Sequence, residues 1–173
     1  MIVYKEVDGA FLELYDRIPM LVDVKSAYAL EKLDNGLGGV ILKEIPTRQY
    51  VKDLGKFAKA TEYINLFDIT NRAFFMAFDG DKPVGGATVV SDTDRDDLSV
   101  LWDLRVDGDY KRRGIGAELF NMAAEWSRAR GFKQMKIECQ NNNVPACKFY
   151  RKQGAALGKI DEYAYYNDIE ILK

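Results

Sequence analysis

A chain of 173 residues, 47% hydrophobic and 30% charged, is the size and composition of one soluble domain. Its formal charge of −2 argues against nucleic acid as a partner, because phosphate-gripping proteins carry a basic excess. With no histidine, Ser-His-Asp and Cys-His chemistry and imidazole zinc sites are all excluded, and two cysteines are too few for a disulfide framework or a Cys₄ metal site.

The N-terminus carries Lys5, Glu6 and Asp8, too early for a signal peptide. The apolar run Phe74-Phe75-Met76-Ala77-Phe78 is far short of the roughly 18 residues of a membrane span. A cytoplasmic protein with no membrane partner is expected.

Residues 1–67 read as irregular. Within them 2–7 alternates weakly as a strand, 11–18 reads as a short helix, 35–39 as a turn, 40–42 as a strand and 56–67 as another helix. From residue 74 the pattern sharpens. Residues 74–78 and 84–90 flank the turn Asp79-Gly80-Asp81-Lys82-Pro83 and predict a hairpin. Residues 91–97 hold four aspartates and read as a solvated loop. Residues 98–106 are apolar and β-prone. The spacing of Ile115, Leu119, Met122 and Trp126 predicts a helix over 114–130, with Gly131 as its stop. Met135, Ile137 and Cys139 alternate with polar residues and predict a strand. Asn143 caps a second helix that Gly154 ends, and 155–173 reads as two terminal strands. This order implies a parallel strand pair with a right-handed crossover inside an otherwise antiparallel sheet.

The chemistry concentrates in Val106-Asp107-Gly108-Asp109-Tyr110-Lys111-Arg112-Arg113-Gly114-Ile115-Gly116-Ala117, between a strand and the long helix. Free N–H groups and the positive end of the helix dipole favour an anion there, and the glycines allow it close to the backbone. A pyrophosphate fits this place; a basic turn with a glycine-rich cap is the competing structural reading. A Walker loop is excluded, and Leu119 stands where a dinucleotide fingerprint needs its third glycine.

Leu104-Arg105-Val106 followed by Lys111-Arg112-Arg113-Gly114-Ile115-Gly116 resembles the first signature of the GNAT family of N-acetyltransferases. Asn143-x-x-Ala146-x-x-Phe149-Tyr150-x-x-x-Gly154 resembles the second. The run 141–150 and Gly158-Lys159-Ile160-Asp161 are similar to the streptothricin-acetyltransferase branch. The resemblance covers residues 74–173. It implies an α/β fold with a mixed, mostly antiparallel central sheet, a splayed parallel strand pair and flanking helices. One domain over 1–173 is expected, with 1–70 as a variable acceptor-side portion and 71–173 as the acetyl-CoA-binding core.

The resemblance also implies roles. The backbone amides of Arg112, Arg113, Gly114 and Gly116 hold the pyrophosphate of acetyl-CoA, flanked by Ile115 and by Lys111, which replaces the family's usual Arg or Gln. Pantetheine pairs along Leu104 and Val106, and the Val106 backbone polarises the thioester carbonyl. Asn143 and Ala146 contact the pantetheine arm, and Tyr150 protonates the departing thiolate. The competing readings are a half-buried core aromatic for Tyr150 and a plain helix cap for Asn143.

An attacking amine must lose a proton, and without histidine the candidates are carboxylates or water leading to them. Strand alternation puts Leu101, Asp103 and Arg105 on one face of 98–106. Glu138, on the neighbouring strand, is placed to share a face with Asp103 near the splay, where each raises the other's pKa. Alternatively Asp103 pairs with Arg105, and Glu138 with Lys136 or Lys133. Tyr163, Tyr165 and Tyr166, with Glu31, Glu44, Asp68, Asp161 and Glu162, are candidates for an acceptor pocket. Cys139 and Cys147 read as buried small hydrophobes.

The expected activity is direct acetyl transfer from acetyl-CoA, with no metal, to a primary amine of a small cationic molecule, a streptothricin-type antibiotic among the candidates. The alternatives are a protein or peptide amino group as acceptor, or a non-catalytic acyl-CoA-binding module. Monomer and homodimer are both open.

Overall fold

The computed structural model describes residues 1–57, 59–63, 71–91 and 97–165. Its main sheet has the order β1-β4-β5-β6-β7. The strands are β1 (Ile2–Val7), β4 (Arg72–Asp79), β5 (Lys82–Ser91), β6 (Leu98–Val106) and β7 (Gln134–Ile137). All pairs are antiparallel except β6 with β7, which run parallel, joined by α3 (Ile115–Ala129). The parallel pair inside an antiparallel sheet is as expected.

The apolar run of β4 has a simple cause: the strand is buried on both faces. Ala73, Phe75 and Ala77 pack with Ile115, Leu119, Ala123 and Trp126 of α3. Phe74, Met76 and Phe78 pack on the other face with Leu12 and Tyr15 of α1 (Leu12–Asp16) and with Ile18. Gly85 and Gly86 thin the adjacent strand β5. A Cβ on Gly85 would press on Ile115 and Leu119, and one on Gly86 would overlap the Tyr15 ring.

The N-terminal portion is less irregular than expected. Residues Leu21–Lys32 form β2 and Val40–Asp53 form β3, a separate antiparallel ribbon. Its turn falls where expected, with Asn35 at φ 51° and Gly36 at φ 100°. The ribbon escapes the sequence pattern because it is mostly solvated. Val24 is 1% exposed, but Val40, Ile41, Leu42 and Ile45 are 37–45% exposed, so no alternation marks a buried face. An isolated two-stranded ribbon is marginal in water. This one docks on the loop before α4 (Val144–Lys152). Tyr28 N–H donates to Asn141 O at 2.9 Å, Asn141 Nδ2 to Tyr28 O at 3.1 Å, and Asn142 Nδ2 to the Tyr50 hydroxyl at 2.9 Å.

The helix expected over 56–67 is reduced to α2 (Ala60–Tyr63) within the described residues, and 58 and 64–67 lie outside them. No strand occurs over 155–165, against expectation; 166–173, including Tyr166, lie outside the described residues, as do Asp68 and 92–96. Strand β7 stops at Ile137, so Glu138 and Cys139 stand beyond it rather than in it.

The alternation expected along β6 also needs correction. The register pairs Leu101 with Val89 and Asp103 with Thr88, so Trp102 is an extra residue in a β-bulge. The bulge resets the phase. Leu101 joins Leu104 and Val106 on the α3 side, while Asp103 and Arg105 face Tyr15.

Candidate active site

The basic loop is built by its predecessors. Asp107 Oδ1 accepts from Asp109 N–H, and Tyr110 N–H returns to Asp107 O at 2.9 Å. Lys82 bridges to Asp107 at 3.0 Å, and Tyr110 donates to Asp79 at 3.1 Å. Beyond this anchor the chain enters a left-handed bend. Arg112 has φ 65° and Gly114, the N-cap of α3, has φ 85°. A non-glycine residue at positive φ costs about 1–2 kcal/mol, and such strain clusters at functional sites.

The bend leaves donors free. Among the described residues, none of the N–H groups of Arg112, Arg113, Gly114, Ile115 or Gly116 is donated to another part of the chain. With the positive end of the α3 dipole behind them, they form an anion seat. Arg112 and Arg113 lie exposed beside it, Arg113 stacked over the Tyr110 ring at 4.7 Å. Lys111 instead reaches Leu21 O at 2.9 Å, tying the loop to β2. Next to the seat is a cavity of about 420 Å³ lined by Lys111, Arg112, Asn143 and Pro145, and on the ribbon side by Leu21, Val22, Asp23 and Lys25. Sequence reasoning missed these ribbon residues because it did not see β2.

Strands β6 and β7 are paired over only part of their length. The β6–β7 ladder ends at Leu101–Ile137, and beyond it the β7-facing edge of β6 continues through Leu104 and Val106 with no further ladder pair to β7. Leu104 and Val106 pack their side chains into the core beneath α3, leaving their backbone to that edge. An extended ligand arm can add to such an edge as a strand.

Helix α4 supplies the opposite wall. Asn143 caps it, its Oδ1 accepting from Ala146 N–H at 3.3 Å, and the same residue lines the cavity, so capping and lining coincide. Tyr150 packs at 6.3 Å from the Phe120 ring and 5.3 Å from Phe149. No hydrogen bond to a described residue acts on its hydroxyl. Burial, then the nearby Cys139, Asp103 and Cys147, push its pKa up, so the hydroxyl keeps its proton.

The two carboxylates do not form a pair. Asp103 is buried, 5% exposed, and its Oδ2 accepts from Arg105 Nε at 2.7 Å and from the Tyr15 hydroxyl at 3.1 Å, while Thr88 donates to Tyr15 at 3.1 Å. Its Oδ1 is buried without a partner among the described residues. Burial pushes the Asp103 pKa up against the pull of Arg105, and Glu138 is not among the charges acting on it. Glu138 is exposed and accepts from the Tyr165 hydroxyl, which burial and this carboxylate raise to about 12. The pairing with Arg105 expected as the alternative for Asp103 is therefore present. Tyr15 and Thr88 were not legible as site neighbours; the Gly85-Gly86 pair, which admits the Tyr15 ring, was the available signal.

Of the acceptor candidates, Glu31 pairs with Lys43, Glu44 with Lys148 at 2.7 Å, Glu162 with Lys32, and Asp161 with Lys159 at 3.0 Å. Tyr163 is 73% exposed. No group of three or more His, Cys, Asp or Glu side chains placed to hold a metal occurs among the described residues. No helix among them is long and apolar enough to cross a membrane.

Streptothricin acetyltransferase A of Bacillus subtilis is 33% identical over 69 residues, and the Escherichia coli streptothricin acetyltransferase 35% over 69 residues. In each case the match spans 40% of this chain and 40% of the relative's length. Two solved structures share the fold over nearly the whole chain. One is a Bacillus anthracis protein of streptothricin-acetyltransferase type in complex with acetyl coenzyme A (TM-score 0.76, 22% identity, 96% of this chain and 88% of that one). The other is nourseothricin acetyltransferase (TM-score 0.76, 21% identity, 95% and 88%). The sequence model of the acetyltransferase (GNAT) family matches residues 41–155, two thirds of the chain. The chain belongs to the acetyltransferase (GNAT) family.

Proposed function

We propose that this protein transfers the acetyl group of acetyl-CoA directly to a primary amine of a small cationic acceptor, with streptothricin-type antibiotics as the acceptor class to test first. The observation that carries the reading is the row of free N–H groups from Arg112 to Gly116, opening beside the Asn143-lined cavity, with the β6–β7 ladder ending at Leu101–Ile137. A diphosphate, an extended arm and a thioester need these three features in this order. Streptothricin acetyltransferases among the relatives support the acceptor class.

In this reading the N–H groups of Arg112, Arg113, Gly114, Ile115 and Gly116 hold the diphosphate, with Lys111 bracing the loop. Leu104 and Val106 offer the arm their backbone, and the Val106 backbone polarises the thioester carbonyl as charge develops on its oxygen. Asn143 and Ala146 line the arm's other side. Glu138, oriented by Tyr165, takes the ammonium proton directly or through water. Asp103, too buried to meet a soluble amine, holds Arg105 and contributes its charge to the Tyr150 environment. Tyr150 gives its proton to the departing thiolate, and the proton shed as the amide forms restores it.

The test is isothermal titration with acetyl-CoA, then a thiol-release assay over streptothricin, aminoglycosides, polyamines and peptides. Binding in the micromolar range and turnover with a small cationic amine are expected. A folded protein that binds no acetyl-CoA overturns the reading. Turnover confined to peptides moves the acceptor to protein amino groups.

A further inference from the structure

Two thiols outside the acetyl-transfer machinery stand side by side where β7 ends and α4 begins. Cys139 lies just past the end of β7 and Cys147 in the first turn of α4, with their Sγ atoms 3.3 Å apart. Both are partly exposed. Backbone carbonyls collect around them. Cys139 Sγ is 3.8 Å from Gln140 O and 3.7 Å from Asn143 O, and Cys147 Sγ is 3.7 Å from Gln140 O. A packing role for two small hydrophobes does not require sulfur against sulfur.

The two thiols are unequal. The hydrogen bond between the two thiols lowers Cys147 to about 7, and the first turn of a helix favours its thiolate. The same bond, with burial, pushes Cys139 up. One sulfur is thus prepared to attack and its neighbour to resolve.

We propose that Cys139 and Cys147 form a thiol–disulfide exchange site that takes low-molecular-weight disulfides and closes to an internal Cys139–Cys147 disulfide. The Cys147 thiolate attacks one sulfur of RS–SR, giving Cys147–S–S–R and releasing RS⁻. Cys139 loses its proton and attacks the Cys147 sulfur, releasing the second RS⁻. The small disulfide is reduced to two thiols as the protein pair is oxidised. Closure brings the sulfurs about 1.3 Å nearer, from 3.3 Å to the roughly 2.05 Å of a disulfide bond. The bridge pins the first turn of α4 to the exit of β7, one turn from Tyr150 and beside the Asn143 cap. The oxidised protein therefore loses acetyl transfer; this consequence rests on the proposed function, while the exchange chemistry does not.

Oxidised glutathione is the probe, with intact mass, free-thiol titration and acetyl transfer as readouts on the full chain. The expected product is lighter by two hydrogens, carries no glutathione and is restored by dithiothreitol. Cys139→Ser should retain one glutathione on Cys147, and Cys147→Ser should react about tenfold more slowly than the unmodified chain. A glutathione adduct that persists on the unmodified chain, or a Cys147→Ser variant that reacts as fast, overturns the exchange site. A disulfide that forms while turnover stays unchanged overturns the switching consequence. The mass readout stands whether or not any acceptor amine is turned over, so failure of the acetyltransferase reading is distinguishable.

Discussion

The Tyr15 hydroxyl donates to Asp103 Oδ2 at 3.1 Å across the sheet, joining the N-terminal helix to the strand that parts from its neighbour. Tyr15 is wholly buried, and its ring lies 4.8 Å from the Arg105 guanidinium. The four groups Thr88, Tyr15, Asp103 and Arg105 form a buried polar network beneath the cleft.

Breaking such a network by removing one partner leaves a buried charge. Asp103→Ala should cost about 3–5 kcal/mol of folding stability, because it breaks a buried ion pair by removing one member. Tyr15→Phe removes the hydrogen bond donated to the Asp103 carboxylate and the one accepted from Thr88, and should cost at least about 1.5–3 kcal/mol. Urea unfolding of both variants measures the difference.

Tyr150→Phe keeps the ring packing on Phe120 and Phe149 and deletes only the hydroxyl. Turnover should fall by about 10²–10⁴-fold, the range of a general acid, with little change in acetyl-CoA affinity. Thiol release and isothermal titration separate the two effects. Equal loss in both counts against the assigned role.

Glu138→Gln keeps an acceptor for Tyr165 but removes the base. Turnover should drop by about 10²-fold or more, read by thiol release. Unchanged turnover would move the proton's route to water alone.

Gly114 and Gly116 should respond differently. Gly114 sits at φ 85°, so Gly114→Ala strains the bend by about 1–2 kcal/mol and weakens acetyl-CoA binding. Gly114→Val should abolish binding, since its branched Cβ also blocks the phosphate approach. A Cβ on Gly116 meets Val106 at 3.6 Å and Phe149 at 3.7 Å, ordinary contact, so Gly116→Ala should leave unfolding midpoints within a degree or so of the parent, about 0.3 kcal/mol. Thermal unfolding and titration check both.

Thiol reactivity should follow the asymmetry of the pair. Alkylation of Cys147 by iodoacetamide should rise as pH climbs through about 7, because the thiolate fraction grows there. Cys139, pushed up by its neighbour and by burial, should lag at the same pH. Peptide mapping after timed alkylation reads each site.

The sequence by itself determined the elements that carry their own local signals. The spacing of Ile115, Leu119 and Trp126, the cap at Asn143, and the glycines of the basic bend specify α3, α4 and the anion seat, because each depends on residues within a few positions. The buried strands β4 and β6 announced themselves through apolar runs. Tertiary structure decided the rest. The solvated ribbon β2–β3 shows no buried face, so only its docking on Asn141, Asn142 and Lys148 reveals it. The bulge at Trp102 turns Leu101 and Asp103 to opposite faces, which no alternation along β6 can foretell, since an extra residue is defined only against its partner strand. The ion pair of Asp103 with Arg105, and the meeting of Cys139 with Cys147, arise the same way: they are contacts that exist only once strands and helices are packed together.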